Sequence, residues 1–235
     1  MISEVTFSKH YTSFWNSVLI NSRNYVRLIN GSLVQNIHKP LLTSNSGYTA
    51  YINEVAFELF SSSLNKGNLN FEHGDITNAC SKAGIKIRLF ATQYQNVNFP
   101  QYEDIETEVL FIVRSLYNQY SRTNPQIKVT FRGLGLLNST EIDLSYNKIL
   151  VEVKSGDRKF KITDIRQILI YLTQNHFSKD SLDIKYIELF NPRMGILFST
   201  DVESMIYQLT ASTPRELYEE IRCFLCNSTL LNNEI

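Results

Sequence analysis

Apolar positions recur at helical spacing over most of the first hundred residues and at strand spacing through much of the second half. Phe14, Val18, Tyr25 and Ile29 mark one periodic stretch, and Ile52, Val55, Leu59, Phe60 and Leu64 mark another. These predict helices over residues 14–29 and 51–64, and a brief alternation at 85–90 reads as a short strand. Polar stretches at 61–70 and 92–101 read as connections. The second marks a boundary between a mainly helical accessory region, residues 1–100, and a second region, residues 101–235.

Beyond the boundary, Ile105, Val109, Ile112, Val113, Leu116 and Tyr120 form one stripe of a helix over residues 104–120. Alternation then takes over, and residues 126–132, 141–146 and 148–154 read as strands. A polar loop follows at 155–161, and a helix starts from a cap at Thr163 or Asp164 and runs to His176, with Ile165, Ile168, Leu169 and Leu172 as its buried stripe. Residues 184–190 and 194–199 read as two further strands and Pro214–Cys226 as a closing helix. That order predicts an α/β fold, a mixed central sheet flanked by helices, with the helical region before it serving substrate or partner recognition.

Composition narrows the class. With 43% hydrophobic and 12% aromatic residues the chain can bury a substantial core, which excludes disorder for the whole. Its apolar runs fall short of the roughly 20 residues that span a bilayer, and Met1 to His10 lacks a signal-peptide stretch, so a cytoplasmic protein without a membrane partner is expected. Three cysteines, an odd count, argue against a disulfide framework. The 23 basic and 23 acidic residues balance, so contact with a nucleic acid has to be local or shared with a partner.

One segment carries candidate chemistry. Glu141-Ile-Asp-Leu-Ser-Tyr-Asn-Lys-Ile-Leu-Val-Glu-Val-Lys154 alternates through two strands around Asn147-Lys148. Asn suits the positive φ of a two-residue turn, and Lys is a poorer second turn residue than Gly. This turn sets Tyr146 against Ile149, Leu144 against Val151, Asp143 against Glu152, and Glu141 against Lys154. Directly opposed Cβ atoms stand about 4.5–5.5 Å apart, where two carboxylates repel unless something compensates. A divalent cation would do so, and hard oxygen ligands suit magnesium, with manganese able to substitute. Alternation also puts Glu152 and Lys154 on one face and Val151 and Val153 on the other. Asp143, Glu152 and the Val153 carbonyl are therefore candidate metal ligands. Lys154 is a candidate for orienting water or offsetting charge in phosphodiester hydrolysis. Paired with Glu141, Lys154 can also be held by a neighbouring acid while it serves a reaction; the competing reading is an edge hairpin whose charges simply face water.

On the next helix Gln167 and Tyr171 are i,i+4 neighbours off the buried stripe, placed to contact a phosphate or a base edge unless they belong to an ordinary solvated face. Asp143, Glu152-Val153-Lys154 and Gln167-Ile-Leu-Ile-Tyr171 together resemble the D…ExK…QxxxY pattern of RecB-like nucleases in the PD-(D/E)XK, restriction-endonuclease-like superfamily. The resemblance covers residues 104–199 and implies a mixed sheet flanked by helices, magnesium dependence, and cleavage of DNA or, less often, RNA. In that family the preceding helix often supplies another acid in the context E-x-x-V-x-x-x-L. Glu106 fits it through Val109, with Val113 in place of Leu, and Glu108 is the alternative. The family's Pro before the first acid is missing, because Ile142 and Glu141 stand there. The expectation is a magnesium-dependent DNA endonuclease, by analogy part of a defence, restriction or repair system, working as a homodimer or with partner subunits. An inactive nuclease-fold scaffold and an RNase are the other readings.

The remaining candidates carry less. Arg158, Lys159 and Lys161 form a basic loop that either contacts backbone phosphates or is simply solvated. Cys223 and Cys226 form a C-x-x-C, yet with Cys80 they fall one ligand short of a four-cysteine site, and with Phe224 and Leu225 between them they are expected to be buried. His10, His38, His73 and His176 lack ligand spacing, and His176 suits the end of its helix. Gly133 and Gly135 predict a bend before the hairpin.

Overall fold

The alternating segments assemble into one sheet. A computed structural model describes residues 1–41, 46–90 and 94–227. Its strands are β1 (Gln35–Asn36), β2 (Gln126–Phe131), β3 (Thr140–Tyr146), β4 (Ile149–Val153), β5 (Tyr186–Asn191) and β6 (Ile196–Asp201), in the spatial order β1-β6-β5-β4-β3-β2. β2, β3 and β4 form an antiparallel meander, and β5 lies parallel to β4 after a crossover through α7 (Ile162–His176). β6 and β1 complete the other edge antiparallel. The fold is α/β with a mixed sheet, as the order of elements predicts.

Helices cover both faces. α1 (Glu4–His10), α2 (Thr12–Val18) and α3 (Ser22–Leu28) share one core with α7, α8 (Val202–Thr210) and α9 (Pro214–Cys226), over Leu150, Leu189 and Phe198 of the sheet. α4 (Thr49–Lys66), α5 (His73–Phe90) and α6 (Tyr102–Tyr120) form the other core over Leu144, Val151 and Phe190. Residues before Tyr102 therefore pack on both faces, and β1 extends the sheet itself. That edge needs a glycine at Gly195, whose φ is +64° and whose missing side chain leaves room for the His38 carbonyl.

Several elements differ from expectation. The helix expected over 14–29 breaks at Leu19, because Asn21 is drawn to α8: its amide N–H donates to Leu209 O at 3.1 Å and its side chain to Gln208 O at 2.9 Å. The alternation at 85–90 ends α5 instead of forming a strand, and it leaves Ile85 and Leu89 exposed while Ala79 and Ala83 face the core. Residues 61–66, expected in a connection, continue α4 as far as the left-handed Gly67. α7 is capped at Lys161, so Thr163 and Asp164, the two expected caps, both lie inside its first turn. Asp164 sits in its first turn and accepts the N–H of Lys161 at 2.8 Å. Cys223 and Cys226 are exposed, because Phe224 and Leu225 take the inward positions of α9. Gly133 and Gly135 lie in the bend before β3, where Leu134 and Leu137 exchange backbone hydrogen bonds at 3.1 and 3.0 Å. Among the described residues no helix is long and apolar enough to cross a membrane.

Candidate functional site

The site grows out of an interruption in the hairpin. Asn147 and Lys148 form its turn with φ of +43° and +68°, and Tyr146 faces Ile149 and Leu144 faces Val151 in the register that the turn predicts. Beyond Leu144 and Val151 the regular pairing stops. Asp143 turns its carboxylate inward, and Oδ2 accepts the Val153 N–H at 2.7 Å. On the other side, Lys128 opposite Asp143 has a φ of +55°, a costly conformation for a residue with a side chain. The face of both strands changes there: Ile127 and Leu144 belong to the α4–α6 core, whereas Val129 and Ile142 belong to the other. Strict alternation cannot do this, so the local twist frees Asp143 to face Glu152 and Lys154.

Three groups expected to converge do so. Lys154 Nζ lies 2.6 Å from Glu152 Oε1 and donates at 2.6 Å to Gln167 Oε1, while Gln167 Nε2 donates at 2.7 Å to the Tyr171 hydroxyl. Glu152 is buried, and Lys154 is largely so. Burial pushes the Glu152 carboxyl up to about 8, against the pull of Lys154, and the nearby Asp143 charge adds to the rise. Burial likewise lifts Asp143 to about 6, opposed by the Val153 N–H and the Lys154 charge. Burial works against the Lys154 charge too, yet the Glu152 carboxylate holds that amine above its ordinary range. Asp143 Oδ1 and Glu152 Oε2 take no hydrogen bond from any described residue.

Other expected residues lie elsewhere. Glu141 does not hold Lys154; it pairs across the sheet with Thr130 and approaches Lys86 at 3.9 Å. Glu106 lines a cavity of about 330 Å³ with Phe71, Tyr102 and Arg114, away from the hairpin. Glu108 is buried and lies 2.6 Å from Arg193. Neither Glu106 nor Glu108 is among the groups that act on the Asp143 carboxyl. Tyr171 is only 2% exposed, too deep for a base or phosphate, and serves as the acceptor that orients Gln167. Arg158 grips Asp164 through two contacts at 2.7 and 2.8 Å, and Lys159 donates to Asn30 O at 3.1 Å, so these two loop cations are already engaged inside the protein. Lys161 is exposed.

Two residues that the sequence did not single out join the site from helices. Glu54 of α4 is near enough to Asp143 to push its carboxyl up, and Lys86 of α5 draws it down. The Lys86 and Glu54 side chains pair at 2.7 Å. The helical period shows only that Glu54 lies off the Ile52, Val55 and Leu59 stripe; its approach to Asp143 depends on how α4 crosses the sheet. The loop after Lys154 is held rigid by the next hairpin. Asn191 Nδ2 donates to Gly156 O at 2.8 Å and Arg158 O at 3.0 Å, and Arg193 Nε donates to Ser155 O at 2.9 Å.

Among the described residues no group of three or more His, Cys, Asp or Glu is close enough to form a ready-made metal cage. The donor set does suit a hard cation with an incomplete protein shell: two inward carboxylates, each with an oxygen left over, whose crowding and burial a divalent charge would relieve. Comparison of the sequence with protein-family models gives no match, and neither does comparison with curated proteins.

Proposed function

We propose that the chain is a divalent-metal-dependent phosphodiesterase that hydrolyses DNA as an endonuclease. The supporting observation is the convergence of Asp143, Glu152 and Lys154 at the point where the hairpin opens, with Gln167 and Tyr171 fixing the amine. Asp143 and Glu152 would hold magnesium, with the Val153 carbonyl as a further donor. The metal supplies polarisation of the phosphate and a nucleophilic hydroxide at neutral pH. Lys154 carries a fixed positive charge where negative charge develops on the phosphate oxygens, and the half-buried hydrogen bond to Gln167 keeps it from swinging away. Glu54 adds negative charge on the α4 side of Asp143. A role in restriction, repair or antiviral defence, with a second copy or another subunit completing a double-strand cut, rests on analogy alone.

The test is a panel of labelled single-stranded and double-stranded DNA and RNA under magnesium, with Lys154→Ala beside the wild type. Cleavage of DNA that vanishes in Lys154→Ala is the expected result; RNA cleavage alone would make the protein an RNase. Calorimetric titration with manganese adds a readout independent of turnover. Asp143→Ala should lose a binding event, and a wild type that binds no manganese and cuts nothing points to a scaffold.

A further inference from the structure

α6 carries a row of polar groups that the hairpin site does not use. Tyr102, Glu106, Leu110 and Arg114 follow one another at intervals of four, so one side of the helix lines a single cleft of about 330 Å³. Phe71, Ile76, Leu110 and Val113 give that cleft an apolar wall. Its polar groups are uncommitted: among the described residues, none forms a hydrogen bond or ion pair with Glu106, Arg114 or the Tyr102 hydroxyl. Tyr102 is only 9% exposed, and a phenol so deep is costly to leave unanswered. It lines both this cleft and the adjoining cavity of about 590 Å³.

Opposite charges are kept apart along the cleft. Glu106 and Arg114 stand eight residues apart on one helix, about 12 Å along its axis. A ligand that meets both must offer an N–H donor at one end and an anion at the other. A free amino acid does not, because its ammonium and carboxylate share one carbon. A nucleoside monophosphate does: the base edge carries N–H donors, the base has flat apolar faces for an aromatic ring, and the phosphate lies at the far end. Arginine suits that phosphate because its planar fork can donate two parallel N–H bonds.

We propose that this cleft binds a nucleoside monophosphate, with the phosphate on Arg114, the base against Phe71, and the base edge on Glu106 and the Tyr102 hydroxyl. The site shares no residue with the Asp143, Glu152 and Lys154 cluster, and it does not rest on the phosphodiesterase reading.

The experiment titrates the full chain calorimetrically, without divalent metal, with guanosine, adenosine, cytidine and uridine monophosphates, and with the free nucleosides and inorganic phosphate as separate arms. At least one nucleotide should bind one-to-one with a Kd below about 1 mM, and more tightly than phosphate alone. Arg114→Met should weaken that nucleotide by about tenfold or more and leave the matching nucleoside unchanged, while Glu106→Gln weakens both. Both positions are exposed, so both variants should melt as the wild type does. Asp143→Ala should bind the nucleotide with wild-type affinity. No binding by any of the four nucleotides, full affinity in Arg114→Met, or phosphate bound as tightly as the nucleotide would each overturn the proposal. Binding lost in Asp143→Ala would place the nucleotide at the hairpin and overturn it as well. None of these outcomes touches DNA cleavage, which stands or falls on the Lys154→Ala comparison.

Discussion

Glu152 and Asp143 are carboxyls placed where burial opposes their charge, and this has a measurable cost. In the folded protein burial pushes both up, to about 8 and about 6, from values near 4 in an unfolded chain. Between those limits the folded state binds more protons than the unfolded state. Stability without metal should therefore fall as pH rises from about 4 and level off above about 8. A divalent cation competes with those same protons, so manganese should flatten the profile, with its largest stabilisation at the alkaline end. Denaturant midpoints measured from about pH 5 to about pH 9, with and without manganese, check this; parallel profiles would speak against a metal on these acids. Tyr171 allows a second test at the same scale. Tyr171→Phe removes only the oxygen that accepts from Gln167 Nε2. It should cost about 1 kcal/mol of stability and about 10–100-fold in DNA cleavage, through a Lys154 no longer held in place. Equal cleavage by this variant would show that Gln167 needs no such support.

At the scale of the element, the hairpin was largely legible in the sequence and the helices around it were not. Alternation plus Asn147-Lys148 fixed the turn and the register as far as Leu144 and Val151, because a two-residue turn leaves few ways to pair the strands. What the alternation missed is the reversal of faces at Lys128 and Asp143, since a left-handed residue inside a strand leaves no mark in a polar–apolar pattern. α5 was misread at its end because Ile85, Ile87 and Leu89 alternate with polar residues, although Ile85 and Leu89 are exposed on a helix. Glu54 and Lys86 went unnoticed because each is one charge among many on a helix until the crossing of α4 and α5 over the sheet is known. Lys148 at φ +68° pays the cost of a left-handed side-chain-bearing residue. Lys148→Gly should therefore raise stability by about 0.5–1 kcal/mol. The lost ion pair with Asp183, exposed on both sides, offsets little of that. Thermal melting checks it, and cleavage should stay at the wild-type rate.

Over the whole molecule, fully buried Arg193 ties the hairpin loop to the helices. Its guanidinium reaches Ser155 O, Glu108 at 2.6 Å and Asn53 Oδ1 at 3.1 Å, and so joins the residue after Lys154 to α6 and to the neighbour of Glu54. Arg193→Met should cost about 3–5 kcal/mol, because a buried carboxylate loses its cation. Arg193→Met with Glu108→Met should recover part of this, which a denaturant-unfolding cycle would measure. A second long-range link has a different consequence. Phe224 of α9 stacks on Phe14 of α2 with ring centres 4.1 Å apart and on Phe7 of α1 at 5.8 Å. A ribosome delivers Phe7, Phe14 and Trp15 long before it delivers the ring that covers them. The growing polypeptide thus exposes an aromatic patch until residues past 220 have been made, and closure of that face depends on contacts far apart in sequence, which slows folding.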